Sequence, residues 1–290
     1  MGVYDALSKA AFGRIAERYS KDFEPLKPYL KGARIRYLLK TWVSMTFFSS
    51  AVAYVASLAL TAVIGSAFGF HYLIYIIMVA FLPVLAASFT FLSFYLYPMQ
   101  RAKKRARSIS NNLPFAITHM AAIASSGIPP EFMFSLIGGF REYGDISDEA
   151  NSIVRNIRTY GYSSIAAMKS VAGMTPSKEF KELLLGISSA IETGGNLTSY
   201  LKEMSDKALF DYKIKREKYL KTLSTYADIY TALLVAAPLF LLSTFAIMSI
   251  LGGDIMGMST SQIVTLMTWV MMPVMNIAYL AFIHITYPGV

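Results

Sequence analysis

Uncharged, mostly apolar residues fill two long stretches of this 290-residue chain. Residues 41–100 contain no Asp, Glu, Lys or Arg, and the 69 residues after Lys221 contain only Asp228 and Asp254 as charged side chains. A protein folded in water needs charged groups along its whole length to solvate loops and helix faces, whereas the hydrocarbon of a bilayer excludes them. The pattern therefore predicts a membrane protein.

Each stretch is long enough for two membrane-spanning helices. About 20 apolar residues cross the hydrocarbon, and a helix satisfies its own backbone hydrogen bonds there. Small and polar residues at 65–70 and 252–261 predict the two intervening turns. The predicted spans are 42–64, 72–97, 229–251 and 263–287.

The distribution of charge predicts the orientation. Residues 1–40 carry nine Lys and Arg against four acidic residues, residues 101–221 carry eighteen against twelve, and the two turns carry no Lys or Arg. By the positive-inside rule, both charged regions and both termini are expected in the cytoplasm. The first region is expected to be an amphipathic segment on or near the membrane surface, since Phe12, Ile15 and Tyr19 recur at helical spacing; the alternative is a solvated tail.

Regularly spaced breaks divide the second charged region into about six short amphipathic helices, each too one-faced to be stable alone. Gly127, Gly161, Gly194 and Gly195 are predicted helix ends. The chain is therefore predicted to be all-α, a polytopic membrane protein whose helical bundle is inserted between two helix pairs. The predicted domains are the N-terminal segment 1–40, spans 1 and 2 at 41–98, the bundle at 99–226, and spans 3 and 4 at 227–290.

Capping signals predict where three bundle helices begin. Ser147 precedes two acidic residues and has the pattern of an N-cap. Thr175-Pro176 combines a cap residue with proline at the first helical position, and Pro114 indicates a separate helix over 113–126. No proline or glycine interrupts residues 197–237, so one long helix is expected to connect the bundle to the third span.

Three bundle stretches occur in a characteristic order between the paired spans. They are Leu113-Pro114 followed by ASSGIP at 124–129, TPSKEF at 175–180, and IETGGNL at 191–197 with Leu201 after it. In these motifs and in its layout, the chain resembles the type II secretion F family. That family supplies platform proteins of type II secretion, type IV pilus, tight-adherence pilus and archaellum machines. The chain is similar to the forms with a single copy of the helical domain.

The resemblance implies a non-enzymatic platform in a prokaryotic plasma (inner) membrane. In that family, a cytoplasmic hexameric secretion ATPase acts on the helical domain, and the platform helps to extract pilin-like subunits into a growing filament. A single copy of the domain implies a second protomer or a homologous sister subunit as a further partner.

Basic clusters flank the bundle on both sides and are candidate partner-binding sites. Each is interpreted either as a topology signal that binds anionic lipid headgroups or as a contact for an acidic face of the motor. Glu192 is interpreted as a partner contact or as an exposed carboxylate at a helix end. The basic candidates are Arg101, Lys103, Lys104, Arg105 and Arg107 after the second span, and Lys213, Lys215, Arg216 and Lys218 before the third.

Other functional classes find little support in the sequence. The chain has no cysteine, no phosphate-binding Gly-x-x-x-x-Gly-Lys-Ser/Thr motif and no clustered histidines, so no cofactor or metal is expected. Despite the net charge of +9, no nucleic-acid-binding motif is present. Asp228 and Asp254 are too far apart along one predicted helix to form a protease dyad. A small-solute transporter or channel remains the alternative, because Pro83, Pro238 and Pro273 interrupt spans.

Overall fold

The computed structural model describes residues 3–68, 72–250, 254–255 and 258–286. Four helices are long and apolar enough to cross a membrane, judged by length and composition. Apart from one ladder of two-residue strands, the regular structure of these residues is helical, so the all-α polytopic prediction is confirmed. The chain divides into two compact units, Met1–Ala208 and Leu209–Val290.

The first unit contains two membrane-crossing helices and the helical bundle. Two short 3-10 turns, Glu24–Leu26 and Arg141–Tyr143, connect some of its elements. Its helices are α1 Val3–Tyr19, α2 Lys27–Gly32, α3 Leu39–Phe68, α4 Tyr72–Ser125, α5 Pro130–Gly139, α6 Asp145–Tyr160, α7 Ser164–Ala172, α8 Lys178–Glu192, and α9, which covers Leu197–Tyr230 and passes into the second unit.

Helix α1 packs along α3 near the start of the first span. Phe12 makes an edge contact with the ring of Phe48, and Tyr19 contacts Phe47. Ile15 and Tyr19 are both exposed, so the predicted apolar stripe is only partly buried. The buried side chains of this region form a core separate from that of the bundle, and they are Ala16, Phe23, Leu26, Leu30, Trp42, Val43 and Met45.

Helix α4 corrects the prediction of a separate helix over 113–126. It runs unbroken for 54 residues and includes Pro83, Pro98 and Pro114. Each proline removes one backbone hydrogen bond and tends to kink the helix. Around Pro114 this cost is offset by packing, because its neighbours Leu113 and Ala116 are both buried in the bundle core. The second span and the first bundle helix are therefore one element.

The bundle core is formed by the predicted apolar faces. Phe180, Leu183, Leu184 and Ile187 on α8 are fully buried, as their spacing along one helix face predicts. Each such side chain contributes about 1.5–3 kcal/mol by leaving water. The facing helices supply Ile117, Met120, Met133, Phe134, Ile137, Ile146, Ala150, Ile153, Met168 and Val171.

Two predicted helix caps are wrong. Helix α6 begins at Asp145 after Gly144, whose φ of +56° is accessible to glycine, and the buried Ser147 donates a hydrogen bond to the Phe140 carbonyl instead. Helix α8 is capped by Ser177, whose hydroxyl accepts from the Phe180 amide at 3.3 Å. The predicted cap, Thr175, therefore lies two residues before the observed cap, Ser177, and Pro176 lies between them.

Helix α3 continues into the stretch where the sequence predicts the first turn. Helix α3 continues through Gly65 to Phe68, and residues 69–71 lie outside the described residues. A Cβ at Gly65 would lie 2.1 Å from the ring of Tyr75, so this glycine permits close approach of α3 and α4 instead of forming a turn.

The second unit contains the last two membrane-crossing helices. After α9 a π-helical segment, Thr231–Ala236, leads into α10, Ala237–Ile250. In the second turn, Asp254–Ile255 pairs antiparallel with Met258–Ser259; residues 251–253 and 256–257 lie outside the described residues. The chain continues through α11 Thr260–Leu266, a second π-helical segment Met267–Met271, and α12 Met272–Thr286.

Both π-helical segments end two residues before a proline, Pro238 or Pro273. A proline lacks the amide hydrogen and clashes with the carbonyl four residues earlier, and a wider turn accommodates that carbonyl.

The two spans are joined by polar contacts. Tyr230 donates to the Asn276 Oδ1 at 3.3 Å, and the Tyr279 hydroxyl donates to the Tyr226 carbonyl.

Candidate interaction surface

Four of the five basic residues after the second span are exposed on α4. They are Arg101, Lys103, Lys104 and Arg107. The fifth, Arg105, lies on the buried face of the same helix, in one stripe with Ala102 and Ile109. The exposed four, here called the α4 basic cluster, are the members of this group that are available to a lipid or protein partner.

Arg105 joins three parts of the first unit. Its guanidinium donates to Asp145 Oδ1 at 2.8 Å, to Glu149 Oε1 at 2.7 Å and to the Gly32 carbonyl. Its side chain is 8% exposed, and that of Glu149 is 4% exposed. A buried arginine with three acceptors is satisfied within the chain, so its role here is structural.

Arg34 completes this network from the N-terminal segment. It donates to Glu149 Oε2 at 3.0 Å and to the Ser152 hydroxyl at 2.7 Å. Its backbone is left-handed, with a φ of +53°, which is uncommon for a residue with a long side chain. The N-terminal segment, α4 and α6 therefore meet at one carboxylate, Glu149. We call Arg34, Arg105, Asp145 and Glu149 the buried ionic network, after its buried pair Arg105 and Glu149; the side chains of Arg34 and Asp145 are 34% and 24% exposed.

Sequence reasoning did not predict this network: it singled out neither Arg34 nor Asp145, and it gave Arg105 and Glu149 other roles. Arg105 carried a usable signal, since residues 102, 105, 109 and 113 follow the apolar helical spacing and place it on the buried face. Glu149 was interpreted as a first-turn acid at a helix N-terminus. Arg34 carried no signal, because its acceptors lie more than 110 residues away in sequence.

A cleft of about 590 Å³ lies between the buried ionic network and the α4 basic cluster. Its wall combines basic and acidic side chains. The lining residues are Arg34, Tyr97, Gln100, Arg101, Lys104, Arg105, Ser108, Asp145 and Asp148.

The predicted glycine corners have the backbone conformations that require glycine. Gly127, Gly161 and Gly194 have φ values of +72°, +69° and +67°. Gly195 follows with its amide donating to the Ala190 carbonyl at 2.8 Å, and Asn196 caps α9 by accepting from the Ser199 amide. The corner between α8 and α9 is thus closed by backbone hydrogen bonds.

Glu192 is exposed at the end of α8 and forms an ion pair with Lys169 of α7 at 2.5 Å. This contact joins two neighbouring helices, and both side chains remain partly accessible to a partner.

Near the same corner, burial raises the pKa of the Tyr200 hydroxyl, and the carboxylates of Glu203 and Glu182 raise it further.

The remaining basic candidates lie on the part of α9 assigned to the second unit. Lys213, Lys215, Arg216 and Lys218 are all exposed. The guanidinium of Arg216 lies 5.8 Å from the centre of the Tyr219 ring, a cation–π contact. No group of three or more potential metal-ligating side chains occurs in the part of the chain that the structure describes.

A multi-pass membrane protein with a helical bundle between two span pairs is the class that these features define. The family model described as "Type II secretion system (T2SS), protein F" matches residues 116–244. The resemblance seen in the sequence is confirmed over this region: residues 116–244 are similar to the F domain of the type II secretion F family.

Curated relatives match the chain at low identity. An uncharacterized protein of Methanocaldococcus jannaschii is 23% identical over 192 residues, 65% of this chain and 32% of that protein. A flagella accessory protein J of the same organism is 22% identical over 57% of the length of this chain and 29% of the length of that protein. A flagella accessory protein J of Methanococcus voltae is 25% identical over 53% of this chain and 27% of its own.

The matched region spans about a third of the length of these curated relatives. No solved structure matches the chain.

Proposed function

We propose that this chain is a membrane platform of a type IV pilus-like, archaellum-type or type II secretion machine. In this role it couples a cytoplasmic hexameric ATPase to the extraction and assembly of pilin-like subunits, without catalysis of its own. The observation that carries the proposal is the F-family match over 116–244, which covers most of the bundle and continues into a helix long and apolar enough to span a membrane. The two relatives named flagella accessory protein J support an assembly role of this kind.

The construction of the first unit supports mechanical coupling. Because α4 is both the second span and the first helix of the bundle, no flexible linker separates them. The buried ionic network ties the same helix to α6 and to the N-terminal segment. A force applied to the bundle therefore reaches the membrane-embedded part of this unit through an ordered helix. The sequence has no phosphate-binding motif of the P-loop type, so the motor would be a separate protein.

The proposed orientation places the bundle and both termini in the cytoplasm, by the positive-inside rule. The α4 basic cluster then lies just beyond the end of the second span. At that depth its exposed cations fit anionic lipid headgroups or an acidic face of the motor. A second protomer or a homologous sister subunit would complete a symmetric platform.

In-cell photocrosslinking of the full chain in its own host tests this function. A photoreactive residue replaces Lys104 in the α4 basic cluster or, as the matched control, Ser243 on an exposed face of α10. The platform role predicts that the Lys104 position captures a secretion ATPase and that the Ser243 position does not. Pilin-like subunits are expected with the affinity-purified protein in mild detergent.

Recovery of neither component, together with solute flux in vesicles reconstituted with the pure protein, would overturn the platform role in favour of transport. A platform is expected to give no flux above that of protein-free vesicles.

A further inference from the structure

A separate cavity of about 560 Å³ lies in the N-terminal segment, between the end of α1 and the beginning of α3. Leu30, Ile35 and Leu38 provide apolar lining, and Lys21, Lys27 and Lys31 are among its basic lining residues. We call it the lysine pocket. It lies in the first unit and is lined by none of the basic residues singled out from the sequence.

The charge of the lysine pocket is strongly positive. Lys21, Lys27 and Lys31 are exposed, and none of them forms a salt bridge to a carboxylate within the described residues. A fourth lysine, Lys40, is paired with Glu17 at 2.9 Å. Among the described lining residues, Glu24 is the one carboxylate. Three cations without carboxylate partners thus favour an anionic ligand.

The apolar part of the pocket leads toward the membrane-crossing helix. Leu38 is 77% exposed and immediately precedes α3. The first span is predicted to begin at Trp42, four residues later, and the Trp42 indole donates to the Phe94 carbonyl of α4 at 3.3 Å. An exposed leucine at this level is costly in water and favourable beside lipid chains.

We propose that the lysine pocket binds one anionic phospholipid, with its phosphate among Lys21, Lys27 and Lys31 and a hydrocarbon chain along Leu38. A ligand with a charged head and an apolar chain matches both parts of the lining. A free phosphate ion would leave the leucine side chains uncovered, and an acidic peptide would have to enter at the level of the bilayer. The inference does not depend on the proposed platform function.

Native mass spectrometry of the full chain in a neutral detergent tests the site, with phosphatidylglycerol as the probe and phosphatidylcholine as the neutral comparison. The test variant is K21Q/K27Q/K31Q. The matched control is K178Q/K181Q/K202Q, which removes the same charge from exposed bundle lysines that do not line the pocket.

The wild type and the control variant are expected to retain one phosphatidylglycerol more tightly than phosphatidylcholine. Each basic residue near an anionic lipid contributes roughly fivefold in affinity, so the test variant is expected to lose on the order of 100-fold. The variant L38N tests the apolar contact without a change of charge, and it is expected to weaken binding severalfold. Circular dichroism and gel filtration establish that each variant is folded.

Several results would overturn the inference. Equal retention of phosphatidylglycerol by the test and control variants would refute the site. Full competition by millimolar inorganic phosphate would identify a free-anion site, and a co-purifying acidic peptide in the same pocket would identify a protein ligand. Undiminished binding by a folded L38N variant would contradict the apolar contact.

Discussion

The guanidinium of Arg105 and the carboxylate of Glu149 lie 2.7 Å apart and are both almost excluded from solvent. Because Glu149 also accepts from Arg34, the pair connects α4 and α6 to the N-terminal segment. Loss of Arg105 leaves the buried Glu149 with only the partly exposed Arg34 as a cationic partner among the described residues, and it removes the donor to the Gly32 carbonyl. Such a loss costs more than the net contribution of an intact pair.

Replacement of Arg105 by methionine is therefore expected to lower the free energy of unfolding by about 3–5 kcal/mol, with a fall in Tm of roughly 10 °C in detergent. The exposed neighbour Lys104 offers a matched control, and Lys104→Met is expected to stay within about 0.5 kcal/mol of the wild type. Thermal unfolding followed by circular dichroism measures both changes. The double variant R105M/E149L should recover much of the loss, and a stable R105M single variant would contradict this account.

Gly194 offers a test of backbone strain without packing effects, since a Cβ there would meet no atom within 4 Å. Its φ of +67° makes alanine unfavourable, so Gly194→Ala is expected to cost about 1–2 kcal/mol. Gly139 is equally uncrowded, and its φ lies outside the left-handed region. Gly139→Ala is therefore expected to be neutral or slightly stabilising, and equal costs at both positions in thermal unfolding would refute the distinction.

Local sequence signals predicted several features of the fold, although the equally local cap signals at Ser147 and Thr175 were wrong. The glycine ends at Gly127, Gly161 and Gly194 and the four apolar spans follow from backbone sterics and bilayer thickness, which act on neighbouring residues. The continuity of α4 through Pro114 did not follow, because tertiary packing offsets the cost of that proline. In the candidate interaction surface, the apolar spacing of residues 102, 105, 109 and 113 was a local signal for the buried position of Arg105. Its partners Asp145 and Glu149 carried no such signal, because they lie 40 and 44 residues away in sequence.

The hydroxyl of Tyr279 connects the last two spans by donating to the Tyr226 carbonyl. Tyr279→Phe removes this hydrogen bond with little change of shape and is expected to lower stability by about 0.6–1.7 kcal/mol. Ser243→Ala is the control, because the Ser243 hydroxyl bonds to its own helix, at the Leu239 carbonyl. Unfolding titrations in mixed micelles measure both variants, and an equal loss from both would contradict a specific contact between the spans.

The absence of cysteine makes the proposed orientation directly testable. Lys178 in the bundle and Ser261 at the start of α11 are both exposed, and each can be replaced by a single cysteine. In intact cells, a membrane-impermeant maleimide is expected to label S261C at once and K178C only after lysis. The opposite pattern would reverse the topology and place the bundle outside the cell.

Because α4 is unbroken, it fixes the angle of rotation about the helix axis between its membrane-spanning part and its part in the bundle. Each residue inserted after the span would turn the bundle face of this helix by about 100° and raise it by about 1.5 Å. A single insertion between Pro98 and Arg105 would turn Arg105 and the carboxylates of α6 together away from the Gly32 carbonyl and Arg34 of the N-terminal segment. Seven added residues, close to two whole turns, would restore their direction. The length of this stretch is thus expected to change only by amounts close to whole helical turns. Natural length variation is expected to occur there in such steps.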